Sequence, residues 1–270
     1  VQHWICVTCG VQYEASRHEP LNCPICQDER QFVRWDGQAW TTLDELRTTH
    51  TNRIEDEDFG ITGIGTVPDF AIAQRALLVH TPAGNVLWDC ITLIDDETIA
   101  KVQQRGGIAA IAISHPHYYS SMVEWSRAFD GVPIYLHVDD RVWVMRSDPA
   151  IHHWTGPTEE ILPGLTLIHL GGHFPGGAAL HWAGGADGKG TLFTGDIIQV
   201  VPDRRYVSFM YSYPNLIPLP ASEVRRIVDA VQPFQFDRLY GAWWGRRVIR
   251  DAKNAVRRSA ERYIAALEAS

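Results

Sequence analysis

The sequence predicts a mixed α/β protein with a small metal-stapled module at its front, and three observations carry that prediction. From about Phe59 onward, short apolar runs bounded by turn residues alternate with segments of helical spacing. Four of the five cysteines fall into two Cys-x-x-Cys pairs near the N-terminus. At 270 residues, with 45% hydrophobic and 21% charged side chains, the chain can bury a sizeable core. No stretch approaches the roughly 18 uninterrupted apolar residues of a membrane span.

Residues 1–36 form the front module. Cys6, Cys9, Cys23 and Cys26 are spaced so that each pair aims two thiolates at one tetrahedral centre. Gly10 follows the first pair and Pro24 sits inside the second, as knuckle turns require. The segment resembles zinc ribbons and, in its Cys-Pro-Ile-Cys half, rubredoxins; the short loop between the pairs favours structural zinc over iron. Trp4, Tyr13, Phe32 and Trp35 are expected to wrap its small core. Two disulfides are the alternative, and they need an oxidising compartment that nothing else suggests. The module's role is structural, or a docking surface for a protein partner. Cys90, left over after an apolar run, reads as a buried small residue.

Trp35-Asp36-Gly37 is the module's exit turn, and residues 37–58 read as a linker whose acidic end, Glu55 to Asp58, is solvated loop. The larger domain spans 59–270. Ala76–His80 and Asn85–Asp89 bracket Thr81-Pro82-Ala83-Gly84 as a hairpin. Asp95–Arg105 reads as a helix stopped by Gly106-Gly107, and Ile108–Ile113 as the next strand. Ser120 or Ser121 caps a helix carrying Met122, Trp125 and Phe129 on one face. Strands follow at 132–137, 164–169, 178–182 and 190–196. Helices at 221–231 and 251–269 close the chain, the last with Val256, Ala260, Tyr263, Ile264 and Leu267 on its core side. His137, His169 and His181 lie in or beside apolar strands and read as core residues, and His152-His153 as surface.

The segment Ser114-His115-Pro116-His117-Tyr118-Tyr119-Ser120-Ser121 puts two imidazoles at a strand's carboxyl end, spaced to bind one metal from the same side. Downstream lie His173, flanked by Gly171-Gly172 and Gly176-Gly177, and a strand ending in Gly195-Asp196. In this order and spacing the pattern resembles the metallo-β-lactamase superfamily, from about Phe59 to the C-terminus. The resemblance implies a four-layer αβ/βα sandwich. It assigns His115, His117 and His173 to one metal and Asp196 to the bridge between two.

The second metal's set is missing. Tyr119 stands at the motif's Asp and Ser120 at its last His, and Leu239–Gly245 contains no His, Trp243 holding the expected place. The pattern therefore reads as a one-metal site for zinc or iron. With zinc, a bound water acidifies to near neutrality and the resulting hydroxide attacks an acyl carbon. Asp196 would ligate the ion or orient that water. Tyr119 would donate to a developing oxyanion, and Asp89 would buttress the site by accepting a hydrogen bond from a ligand His. Tyr118, Tyr211, Tyr213 and Trp243 are candidates for an aromatic substrate wall, core packing being the alternative.

The expected activity is hydrolysis of an ester, thioester or lactone-type small molecule. Two readings compete with it. One is a catalytically degenerate binding or docking protein; the other is a mononuclear non-haem iron oxidoreductase built on His115, His173 and Asp196. The net charge of −8 argues against a general nucleic-acid binder, although ten Lys and Arg against six Asp and Glu make the chain net basic from Ala221 onward. That basic tail reads as a solvated helix face. With no basic start followed by an apolar run, no signal peptide is read, and a cytoplasmic, non-membrane protein is expected.

Overall fold

A computed structural model describes residues 1–269; Ser270, the last residue of the expected larger domain, lies outside the described residues. The described chain divides into two compact units, residues 1–136 with 141–153, and residues 137–140 with 154–269.

In the first unit, the front module is a three-stranded antiparallel sheet. Gln2–Cys6 lies at its centre, flanked by Gln12–Ser16 and Trp40–Thr41. Its core is Ile5, Val11, Tyr13 and Ile25, all buried, with Trp40 edge-on to Tyr13 at 4.9 Å. Phe32 and Trp35 do not join it: they are 46% and 105% exposed. Trp35 sits in the exit turn, where Gly37 N bonds back to Arg34 O. The module is also tied to the rest of its unit. Gln12 N donates to Ser120 O at 3.0 Å, Glu14 N to Met145 O at 3.0 Å, and the buried Thr92 Oγ1 to Gly10 O at 2.8 Å.

Residues 37–58 are not a solvated linker. Trp40–Thr41 completes the front sheet, and Leu43–Thr49 is a helix opened by a capping box, in which Thr42 Oγ1 accepts from Glu45 N while Glu45 accepts from Thr42 N. The acidic run is the end of the strand Thr51–Asp58, which pairs antiparallel with Ile61–Val67. That strand ends a seven-stranded sheet whose spatial order is Ile151–Trp154, Ile134–His137, Ala110–Ala112, Val86–Trp88, Arg75–Val79, Ile61–Val67 and Thr51–Asp58. Charged residues are tolerated there because an edge strand has one open side. One acid turns inward: Glu57 pairs with the fully buried Arg75.

The expected hairpin forms, with Leu77 opposite Trp88. Val86–Trp88, Ala110–Ala112 and Ile134–His137 run parallel, with the helices Asp96–Gln103 and Met122–Ala128 as crossovers. Asp95 caps the first of these by accepting from Thr98 N. The second lacks the expected serine side-chain cap: Ser120 Oγ donates to Cys90 O at 3.2 Å and Ser121 Oγ to Thr92 O at 2.6 Å. Cys90 is fully buried, as expected. His152 and His153 are exposed but stand in the strand Ile151–Trp154.

The second unit is built on a six-stranded sheet, in spatial order Thr158–Leu162, Leu165–His169, Ala178–Trp182, Thr191–Phe193, Arg238–Tyr240 and Arg247–Val248. Thr191–Phe193 and Arg238–Tyr240 pair in parallel, so the chain between them crosses over through the helix Ala221–Val231. Val224, Ile227 and Val231 of that helix, with Ala252, Ala255, Val256 and Ala260 of the helix Ala252–Glu268, bury against Ile168, Leu192, Phe209 and Leu239. Leu267, expected on the core side, is 42% exposed because the last turn extends past that cluster. Two short two-stranded ribbons, Gln199–Val200 with Val207–Ser208 and Met210–Ser212 with Ile217–Pro218, escaped the periodicity analysis, being too brief to show a period. Among the described residues, no helix is long and apolar enough to cross a membrane.

Candidate metal centres

The four module cysteines converge. Cys6 and Cys26 Sγ are 3.5 Å apart, Cys9 and Cys23 Sγ 3.6 Å, and all four sulfurs group as a set able to hold an ion. Zinc–sulfur bonds near 2.3 Å put tetrahedral sulfurs roughly 3.7 Å apart, so the donor set fits. All five cysteines of the chain are free thiols, which removes the disulfide alternative. Two backbone turns make the knuckles, Gly10 N to Cys6 O and Gln27 N to Cys23 O. Gln38 Nε2 donates to Cys6 Sγ at 3.2 Å, a contact that orients a thiolate and that no sequence signal announced. Side-chain bonding from Cys23 and Cys26 holds the Cys6 thiol far below its ordinary range, while burial pushes Cys9 up.

The histidine turn follows the carboxyl end of Ala110–Ala112. His115 is extended, and Pro116 opens a single 3₁₀ turn over Pro116–Tyr118 that places His117 beside it, ring centroids 5.1 Å apart. Both imidazoles are buried, at 1% and 3% exposure. The neighbouring parallel strand ends at the same edge in Asp89, whose Oδ1 accepts from Ser114 N at 2.8 Å. Ser114 Oγ in turn meets His115 Nδ1 at 3.0 Å. Asp89 holds the turn through the Ser114 backbone, and Ser114, which carries no motif signature, also contacts the His115 ring.

Tyr118 stands edge-on to His115 at 4.5 Å. Tyr119, also buried, lines a small cavity with Val11, Gln12, Met122 and Arg146.

In the second unit, His173 rides on the loop between Leu165–His169 and Ala178–Trp182. Leu170 and Gly171 N both donate to Gly177 O, closing the loop's neck. Gly172 has φ +77°, and a Cβ there would come within 2.8 Å of Ile227 Cδ1, so glycine is required beside the histidine. His173 Nδ1 donates to Tyr211 O at 2.8 Å, with Met210 O at 3.2 Å, which leaves Nε2 as the nitrogen with a lone pair for a metal. Asp196, 3% exposed, follows Thr191–Phe193, and its backbone carbonyl accepts from Tyr213 Oη at 2.7 Å. Burial, reinforced by the Asp196 charge, pushes the Tyr213 phenol well above its ordinary range. Tyr211 and Tyr213 therefore brace His173 and Asp196.

Thr194 N bonds Tyr240 O across the parallel strand pair, so the segment after Tyr240 runs beside Gly195-Asp196. That segment closes at once into the turn to Arg247–Val248, through Gly241 N to Arg246 O and Arg246 N to Trp243 O, leaving Trp243 and Trp244 half-buried.

Comparison with known proteins places this architecture. No family model matches the sequence. The chain is similar to "Uncharacterized protein YmaE" of Bacillus subtilis (strain 168), at 53% identity over 267 residues, covering 98% of this chain and 97% of that one. Among solved structures it is similar to the DIM-1 metallo-β-lactamase (TM-score 0.59, 14% identity, 80% of this chain and 98% of that one). It is also similar to the metallo-β-lactamase FIM-1 from Pseudomonas aeruginosa in its mono-zinc form (TM-score 0.57, 16% identity, 78% and 95%). The chain belongs to the family of Bacillus subtilis YmaE, and its fold is that of the metallo-β-lactamases.

Proposed function

We propose that the protein is a metal-dependent hydrolase that uses a single ion, with His115, His117 and His173 as ligands and Asp196 beside them, and that its substrates are esters, thioesters or lactones. The observation that carries this reading is the pair of buried imidazoles, His115 and His117, held side by side at a strand's carboxyl end with ring centroids 5.1 Å apart. It gains support from the histidine-free turn 241–245, where the fold's second ion would need a further ligand. The FIM-1 neighbour, described in a mono-zinc form, is an instance of this fold with one ion. In the cysteine module we assign zinc a structural role.

A zinc ion in the histidine set would polarise an acyl oxygen and lower the pKa of a water near it. The remaining work falls to the chain. His173, fixed by the Tyr211 carbonyl, and His115, fixed by Ser114, keep their ring orientations without substrate. Asp196 is the group we assign to take the proton from the attacking water, its backbone held by Tyr213. The oxyanion donor expected of Tyr119 we assign instead to Tyr118, the phenol whose ring lies against His115.

The test is hydrolysis of generic ester, thioester and lactone substrates by the wild type and by His117→Ala, with metal content measured on both. The expected outcome is that His117→Ala loses one ion per chain and at least about a hundredfold in kcat/KM. Equal activity in the two proteins would overturn the reading. Iron as the bound metal, with oxygen consumed in place of water, would replace it by the oxidoreductase alternative.

A further inference from the structure

Asp139 lies between two histidines that the proposed hydrolytic site does not use. His137 ends the strand Ile134–His137 and His169 ends Leu165–His169. Their rings stack nearly parallel, centroids 3.8 Å apart and 12° between planes, with Trp154 edge-on to His137 at 4.6 Å. Asp139 Oδ2 is 3.5 Å from His137 Nδ1 and 3.9 Å from His169 Nε2. Nitrogen and oxygen ligands at about 2.0–2.2 Å from a tetrahedral ion stand roughly 3.3–3.6 Å from one another. Asp139 Oδ2 is therefore within a few tenths of an ångström of metal-bound spacing from both nitrogens, and the three donors all lie within 4.8 Å of one another.

The bonding of His137 sharpens the case. Asp139 N donates to His137 Nδ1 at 3.3 Å, so that nitrogen carries the lone pair. It faces a carboxylate oxygen, and two electron-rich atoms at that distance repel unless a cation lies between them. A neutral imidazole beside a carboxylate is the donor set that divalent zinc, nickel or copper prefers. His137 is 3% exposed at its side chain, whereas His169 and Asp139 are 22% and 50% exposed, which leaves the cluster one open side for an ion to enter and keep water.

We propose that His137, Asp139 and His169 form a further binding site for a divalent transition-metal ion. His169 Nε2 donates to Pro175 O at 2.8 Å, and Asp140 Oδ1 accepts from Gly176 N at 2.8 Å, so the cluster and its turn grip the loop that carries His173. Taking the ion exchanges the Pro175 bond of His169 and the Asp139 N–H bond to His137 Nδ1 for coordination, with the His169 ring proton moving to Nδ1. Occupancy therefore releases one of the two ties on that loop, and excess metal slows whatever reaction His173 serves.

The experiment is equilibrium dialysis of the full chain against micromolar ZnCl₂, with zinc per chain read by mass spectrometry. Asp139→Asn, His169→Gln, His117→Ala and His152→Gln are compared with the wild type. Asp139→Asn and His169→Gln alter partly exposed side chains and are expected to fold. Each should hold one ion fewer than the wild type, or need about tenfold more zinc to fill, while His152→Gln is unchanged. The double variant His117→Ala/His169→Gln should lose two ions. Should Asp139→Asn and His169→Gln take up zinc as the wild type does, the site is overturned, whatever His117→Ala does. If His117→Ala alone keeps its full complement, the hydrolytic centre fails and this site stands.

Discussion

Ser114 serves the histidine turn twice, its backbone N–H held by Asp89 and its hydroxyl meeting the His115 ring. Removing the hydroxyl frees that ring to rotate, so Ser114→Ala should weaken metal binding at the histidine set by about 10–100-fold, read by competition with a chromophoric chelator. Tyr118→Phe should lower kcat by about a hundredfold with KM little changed, and Tyr119→Phe should leave kcat nearly intact. The reverse result would return the donor role to Tyr119. His115, His117, His173 and Asp196 could be named as candidates from the sequence because metal ligation ties residue type to spacing. Ser114 was not, since a serine beside a motif has no chemical signature until its contacts are known. The same holds for Gln38 at the thiolate of Cys6.

Elements show where charge misleads. Glu55 to Asp58 reads as a solvated run, yet Glu57 turns into the sheet and pairs with Arg75, their side chains 7% and 0% exposed. Breaking such a pair from one side strands a buried charge, so Glu57→Gln should cost about 3–5 kcal/mol, measured by urea unfolding. A loss near zero would mean that water reaches the pair. Beyond that run, the helix Ala221–Val231 and the strand Ala178–Trp182 coincide with their expected spans, whereas the strand Thr51–Asp58 and the helix Leu43–Thr49 were read as linker. The two-residue strands went unread, because pairing partners rather than periodicity create them.

On the scale of the molecule, the fold class followed from alternating strand and helix patterns and from the spacing of a few ligands, and the solved neighbours bear it out. How the front module attaches did not follow. Two of its ties, Gln12 to Ser120 and Glu14 to Met145, are backbone carbonyls and amides that any residue supplies, and the others, such as Ser147 Oγ to Glu14 Oε1 and Thr92 Oγ1 to Gly10 O, are single polar side chains that no sequence pattern marks. One of them lands three residues after His117. Stripping the module's ion with a thiol-seeking reagent, or substituting Cys23→Ser, should open residues 1–41 to proteolysis and lower hydrolytic activity as well. Unchanged activity after cleavage would show the module to be dispensable to the turn it touches.

The edge contact of Trp40 with Tyr13 has a practical corollary. The indole belongs to the strand that Gln38 leads into, and its partner's phenol is pushed up by burial first and then by the charge of Cys23. Trp40 is therefore a built-in optical gauge of the knuckles. The emission difference between the wild type and Trp40→Phe should shift to the red as chelator is added, tracking the scaffold ion without a label.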